Sequence, residues 1–267
     1  MQMSATMPSV MYEVKLPKKE ITAVHDLGLL LKRIIQTNTG EHPCYPVTPL
    51  TADPADWATY KIAAEIALQY GKKKEAETAW LKALNIAHQF PPNDSRVPYT
   101  LESLANFYMA EGRLDQAEHY LKESLQAIEI VFGHNDIKVA LCLNSLAGIY
   151  YEQKRYVEAV PYGIRMLTIY NKIYGGDHAD VGMAANNLAM LYHAQLKYEL
   201  AELMYERALP IRKRALGVQN PQYQTLIENY TNLLASTGRA EKAETLKAEN
   251  RPGNGWKMFE CRVPLAS

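Results

Sequence analysis

The sequence predicts an all-α solenoid, and three observations carry the prediction. A 17-residue pattern recurs five times, starting at Lys61, Glu102, Asn144, Asn186 and Glu228, so that the starts lie 41, 42, 42 and 42 residues apart. Within each copy apolar residues return every three and four positions, the spacing that places side chains on one helix face; Leu188, Leu191 and Tyr192 show it in the fourth copy. Small residues hold two fixed places, Ala64, Ala105, Ala147, Ala189 and Thr231 in the first half of the unit and Ala76, Ala117, Ala159, Ala201 and Ala243 in the second. A period of this length means that each unit buries its apolar face by stacking on its neighbours.

The elements follow in chain order. Residues 1–22 show no periodic pattern and read as a flexible segment. Over residues 23–37, Val24, Leu27, Leu31, Ile34 and Ile35 fall at helical spacing, which predicts an amphipathic helix capping the open end of the solenoid. The linker EHPCYPVTPLTADP contains four prolines and reads as extended; helix and linker together make a segment 23–55. The solenoid occupies 56–250, with repeats starting near 56, 97, 139, 181 and 223.

Each repeat is a helix A, a turn and a helix B. The turn holds Gly71, Gly112 or Gly238 in copies one, two and five, where a residue lacking Cβ can take positive φ. Lys154 and Leu196 replace it in copies three and four, which predicts a turn built differently or under slight strain. Gly133, Gly175 and Gly217, again 42 apart, read as caps where helix B ends. Pro210 falls inside a helix B and is expected to kink or locally distort it, whereas Pro161 lies nearer a helix start. The first copy is one residue short and carries Ala67 where later copies have tyrosine, as an edge repeat would. PGNG ends the last helix, and a tail over 251–267 follows, whose Trp256 and Phe259 can fold back on the last repeat, hang free or meet a partner.

Composition narrows the function. The 267 residues are 48% hydrophobic and 22% charged, which excludes disorder and collagen-like structure. No apolar run approaches the ~18 to 20 residues of a membrane span, and the first 25 residues lack a secretory h-region, so a cytoplasmic location is expected. Cys44, Cys142 and Cys261 are odd in number and have no CxxC pair, as suits reduced thiols. With 29 basic and 29 acidic residues the field of the whole chain favours neither nucleic acid nor an anionic membrane. Lys72 to Lys74 and Arg212 to Arg214 read as solvated helix ends.

The motifs of catalysis are missing. There is no HxxxH or HExxH pair, phosphate loop, GxGxxG turn or GxSxG elbow, so the sequence supports neither an enzyme nor a cofactor. Glu41, His42 and Cys44 give three potential metal ligands without a fourth and read as a surface coincidence; no metal site is expected.

The LA..Y run of helix A (Leu104, Ala105, Tyr108; Leu146, Ala147, Tyr150; Leu188, Ala189, Tyr192), the Ala-Glu of helix B and the stretches GHNDIKV, GGDHADV and GVQNPQY resemble the tetratricopeptide-repeat family, in its 42-residue kinesin-light-chain variety. The resemblance covers residues 56 to 250 and implies a right-handed superhelix of about five helix-turn-helix repeats, with the N-terminal helix as an addition. No long heptad segment accompanies it, so the chain does not read as a motor subunit.

The resemblance also implies a concave groove lined by the A helices. Carried over by register, the groove should present Lys61, Glu65, Tyr99, Glu102, Asn106, Met109, Asn144, Tyr151, Asn186, Met190, His193, Glu228 and Asn232. Asn144 and Asn186 match the family's groove asparagine, and a carboxamide can pair with both halves of a peptide unit whatever side chain that unit bears. Tyr99, Tyr151, Met109 and Met190 are candidate apolar pockets. A clamp for chaperone C-termini would need several basic residues, but Lys61 stands alone and Leu141 and Ser145 occupy positions where basic side chains would be wanted. Glu65, Glu102 and Glu228 against one lysine predict a preference for neutral or basic partners. The expected role is a non-catalytic adaptor that holds an extended peptide or partner helix; the alternative is an assembly subunit that self-associates through its ends or its tail.

Overall fold

The computed structural model describes residues 54–251. The predicted capping helix, most of the proline-rich linker and the tail beyond Arg251 lie outside the described residues. Those described form ten helices in five consecutive pairs: α1 (Pro54–Gln69) with α2 (Lys73–Ala87), α3 (Arg96–Ala110) with α4 (Leu114–Phe132), α5 (Ile137–Glu152) with α6 (Tyr156–Tyr174), α7 (Ala179–Ala194) with α8 (Tyr198–Leu216), and α9 (Pro221–Ser236) with α10 (Ala240–Glu249). There is no β-strand among the described residues, and no helix is long and apolar enough to cross a membrane. The fold is the predicted all-α tandem of helix-turn-helix repeats. The chain divides into two compact units, residues 1–127 and 128–267, and the boundary falls within α4.

The register of small residues explains the pairing. In the first unit Ala64, Ala76, Ala105 and Ala117 are completely buried, and in the second Ala159, Ala189 and Ala201 are too, with Thr231 and Ala243 nearly so. A methyl group at these places lets the A and B helices approach closely, and the large side chains between them fill the core: Trp80, Leu101 and Leu104 in the first unit, and Tyr150, Met166, Tyr170, Tyr205 and Tyr223 in the second. Gly182 marks one of the closest approaches, since a Cβ there would lie 2.8 Å from a side-chain carbon of Ile211 in α8. Each helix B also packs on the helix A that follows it, as with α2 on α3, α6 on α7 and α8 on α9.

The turns settle the question raised by Lys154 and Leu196. Gly71, Gly112 and Gly238 take φ of +67°, +70° and +77°, and Lys154 and Leu196 both take +61°. The hydrogen bonds are the same too: Gly112 N–H donates to Met109 O and Arg113 N–H to Tyr108 O, while Lys154 N–H donates to Tyr151 O and Arg155 N–H to Tyr150 O. The turn is therefore not rebuilt. Two bulky residues occupy a left-handed conformation that costs an L-residue roughly 1–2 kcal/mol.

The helix ends follow the period as well. Asp136, His178 and Asn220, spaced 42 apart, cap α5, α7 and α9 by accepting backbone N–H groups of Lys138, Asp180 and Gln222. Gly175 and Gly217 stand at the ends of α6 and α8 with positive φ. α8 runs from Tyr198 to Leu216 as one helix with Pro210 inside it, and α6 likewise contains Pro161. The first junction departs from the rule: α2 is 15 residues long where α6 and α8 have 19, and residues 88–95 form a longer connection. At the far end, Tyr223 donates to Asn250 Oδ1 at 2.6 Å and Gln224 to Asn250 O at 3.0 Å, fastening α10 to α9.

Of the two basic runs, Lys72 to Lys74 is exposed as expected, but Arg212 is not a solvated end. Its stem lies against Gly182, with Cγ 3.1 Å from where a Cβ would be, and its guanidinium donates to Gln222 at 2.8 Å.

Candidate functional site

The helix-A residues singled out by sequence are, without exception, half-buried or exposed, although the opposite face of every A helix is core. In the first unit Lys61 and Glu65 stand on α1, and Tyr99, Glu102, Asn106 and Met109 on α3. Three of them form one cluster. Lys61 Nζ is 3.3 Å from Glu65, Tyr99 OH donates to Glu65 Oε1 at 3.1 Å, and the ammonium lies 5.3 Å from the Tyr99 ring centre. Burial works against the Lys61 charge, yet Tyr99 and Glu65 beside it hold its pKa above the ordinary range. The Tyr99 ring is wedged against Trp57 and Trp80, at centroid distances of 5.9 and 6.3 Å, and burial with the nearby Glu65 pushes its hydroxyl up. Glu65 is thus an internally neutralised carboxylate.

In the second unit Asn144 and Tyr151 stand on α5, Asn186, Met190 and His193 on α7, and Glu228 and Asn232 on α9. The two asparagines differ. Asn187 Nδ2 donates to Asn144 Oδ1 at 2.9 Å, so one acceptor of Asn144 is already engaged. One repeat further on, the equivalent atoms, Asn229 Nδ2 and Asn186 Oδ1, are both buried without a hydrogen-bond partner among the described residues. Asn186 Nδ2 has only the soft sulfur of Met190, at 3.8 Å.

Aromatic rings flank this row. Tyr151 packs on Tyr156 at 5.3 Å, and His193 meets Tyr198 at 6.0 Å and Tyr205 at 6.4 Å, both edge-on. Burial holds His193 below its ordinary pKa, so at neutral pH the imidazole is a neutral donor and acceptor. Burial, and then Tyr156, raises Tyr151. The hydroxyl of the fully buried Tyr205 has no hydrogen-bond partner among the described residues.

Sequence reading missed a second set of residues, which clasp one repeat to the next. In the first unit Glu77 of α2 accepts from Tyr108 at 2.8 Å and from Arg113 at 3.0 Å. In the second, Glu202 of α8 accepts from Arg239 at 2.7 and 2.8 Å and from Lys242 at 2.9 Å. The bond from Arg113 holds the Glu77 carboxyl below its usual range; Glu202 is also held low, because its bonds to Lys242 and Arg239 outweigh the burial that would raise it. The signal was present as a row of basic residues at Lys72, Arg113, Arg155, Lys197 and Arg239, each just after the turn. A further rung joins B helices in the second unit, Arg165 to Glu129 and Arg207 to Asn171 at 2.6 Å.

Two open depressions lie elsewhere. One, of about 470 Å³, is lined by Tyr60, Leu81, Lys82 and neighbours in the first unit; the other, of about 660 Å³, by Tyr174 to Asp177, Arg207, Pro210 and Ile211 in the second. Neither includes a residue of the predicted groove, and an extended row of side chains is not a cavity that such shapes would reveal. Among the described residues no group of three His, Cys, Asp or Glu side chains is placed to hold a metal; Glu41, His42 and Cys44 lie outside them.

Comparison with known proteins agrees with this architecture. The tetratricopeptide-repeat family model matches residues 96–170 and 142–214. Curated proteins give no match. Among solved structures, the chain is similar to BtubC (BKLC) from P. vanneervenii, with 22% identity, a TM-score of 0.65 and coverage of 86% of this chain and 87% of that one. It is also similar to a putative kinesin light chain with nearly identical repeats from Podosopora anserina, with 18% identity, a TM-score of 0.61 and coverage of 74% and 95%. A third similar structure is the apo form of RapI, with 13% identity, a TM-score of 0.67 and coverage of 86% and 60%.

Proposed function

Since the chain is a tetratricopeptide-repeat protein of the kinesin-light-chain-like type, we propose that it is a non-catalytic scaffold whose A-helix face holds an extended peptide or a partner helix. One observation carries the reading: on every A helix the predicted binding residues are left unburied, with carboxamides and rings of adaptable shape repeated at the same register.

Within the second unit Asn186 is the stronger anchor. Asn144 has one acceptor committed to Asn187, whereas the Asn186 oxygen has no internal donor. That oxygen is buried, so a peptide N–H reaches it only once the carboxamide turns outward, and the bond then satisfies a group whose isolation costs roughly 1–3 kcal/mol. Two hydrogen bonds from each of the two asparagines, at ~0.5 to 1.5 kcal/mol apiece, give about 2 to 6 kcal/mol, and micromolar affinity needs about 8. Tyr151, Met190 and His193 supply the remaining contact in this reading. With Lys61 spent on Glu65, the exposed Glu228 sets the residual sign, and in this reading the face prefers neutral or basic partners in a cytoplasmic setting.

The test is a peptide-library selection on the full chain beside Asn186→Ala, Asn144→Ala and the double variant, each checked by circular dichroism. Enrichment on the parent that falls about tenfold with Asn186→Ala, and less with Asn144→Ala, is the expected result; tenfold corresponds to ~1.4 kcal/mol. Enrichment that survives the double variant, or favours acidic peptides, overturns the reading.

A further inference from the structure

On the B helices of the third and fourth repeats Val157, Leu200 and Leu203 are exposed where the first, second and fifth repeats carry polar residues, while Ile164 shares its register with the exposed Leu81. Val157 of α6 is 72% exposed, Leu196 at the α7–α8 turn 68% and Leu203 of α8 56%, with Leu200 and Ile164 beside them at 44% each. In the same register as Val157 stand Lys74, Asp115 and Glu241, and in that of Leu200 stand Glu75, Gln116 and Lys242. The repeat therefore does not need apolar side chains there for its own packing. The residues are neighbours: Gln195, next to Leu196, donates its side chain to the Tyr156 carbonyl next to Val157 at 3.0 Å, and Arg207 of α8 reaches Asn171 of α6 at 2.6 Å. α6 and α8 thus lie side by side, with Val157 and Ile164 seven residues apart on one and Leu196, Leu200 and Leu203 four and three residues apart along the turn and start of the other.

We propose that this outer face of α6 and α8 seats the chain's own segment 252–267. Its sequence, beginning PGNGWKMFE, brings Trp256, Met258 and Phe259 within a few residues of Arg251. Those side chains find no apolar seat on the last repeat, because neither α9 nor α10 exposes a large hydrophobic residue. Leu200 and Leu203 on α8 offer such a surface, and α8 is tied to the start of α10 by the Glu202 clasp to Arg239 and Lys242. Arg251 lies nine residues past Lys242, about 14 Å along the helix axis, so with an interhelix spacing of roughly 8–10 Å the path back to Leu203 is about 16 Å, which the five residues to Trp256 just span with a reach of up to about 17 Å. Charge agrees: Glu199 and Glu206, both exposed, occupy on α8 the register that Val157 and Ile164 hold on α6, and the segment brings Lys257 and Arg262. This seat lies on the B helices, so it is independent of the peptide-binding reading.

The experiment is ¹⁹F NMR of the full chain carrying 5-fluorotryptophan, with Trp256 assigned through Trp256→Phe. In the parent, Trp256 should show a small solvent-isotope shift, unchanged on dilution. In Leu200→Glu with Leu203→Glu, its resonance should move to the position and isotope shift of a free indole, while those of Trp57 and Trp80 stay fixed; Leu200→Met with Leu203→Met should leave all three in place. Three results each overturn the proposal: Trp256 already solvent-exposed in the parent, Trp256 protected but indifferent to the glutamates, or protection lost on dilution, which would assign the contact to a second copy. Loss of the Trp57 and Trp80 signals would signal misfolding, and a single Leu203→Glu variant then carries the same test.

Discussion

The third and fourth repeats differ from the fifth at three places on one side of the molecule. The fifth turns through Gly238, shows charged residues on its outer face and is bound to the fourth by Glu202, Arg239 and Lys242. The third and fourth turn through Lys154 and Leu196 in left-handed backbone and expose Val157, Leu200 and Leu203. Between those two repeats the clasp is missing as well: Val160 stands in the register of Glu77 and Glu202, and Lys197, in the register of Arg239, has no acidic partner among the described residues. Each departure lowers local stability or solubility without helping the core. Their coincidence teaches that the scaffold's stable solution was available here and was replaced along one strip, as expected of a surface used for contact.

The largest effect should come from breaking the intact side of this comparison. Glu202→Gln removes the charge at the centre of the clasp and should destabilise the α9–α10 pair by about 2 kcal/mol at neutral pH, a loss measurable by hydrogen exchange of the α10 amides. Because the Glu202 carboxyl is held low, its contribution is present above the unfolded pKa of about 4.3 and is lost as pH falls through the lower folded value. Parent and variant should therefore converge in acid. A gap that persists unchanged well below pH 4 would show that the charge was not the cause.

Restoring the turn should have the next largest effect. Lys154→Gly and Leu196→Gly relieve left-handed strain of roughly 1–2 kcal/mol but give the unfolded chain more freedom, so a net gain of about 0.5 to 1 kcal/mol each is expected in urea unfolding. A loss of stability would mean that these side chains contribute contacts beyond the turn. The smallest effect should come from Val160→Glu, which rebuilds the clasp with Lys197 near solvent and should add ~0.3 kcal/mol, with the gain disappearing in high salt.

Much of the fold was legible because the period constrains it. The spacing of Ala64 to Thr231 and of Gly133, Gly175 and Gly217 depends only on local geometry, which a single sequence displays. The turns were half legible: the missing glycine was visible at Lys154 and Leu196, but whether the chain would change the turn or bear the strain depends on the packing that holds both flanking helices. The site was less legible because its differences lie between repeats. Asn144 and Asn186 look identical in sequence and part company only through their neighbours Asn187 and Asn229. Charge was legible as a count of three glutamates against one lysine, but not as the pairing that sets Lys61 against Glu65. The Glu202 clasp was in principle readable as an acid and a base one period less five residues apart.

The range of these links has a kinetic consequence. The hydrogen bonds from Asn187 to Asn144 and from Trp57 to Thr100, which join neighbouring repeats, span 43 residues each, about one period of the chain. Closing loops of that size is entropically modest, and low contact order favours fast folding. A nascent chain leaving the ribosome can therefore complete each junction as soon as the following repeat has emerged, without waiting for its C-terminus.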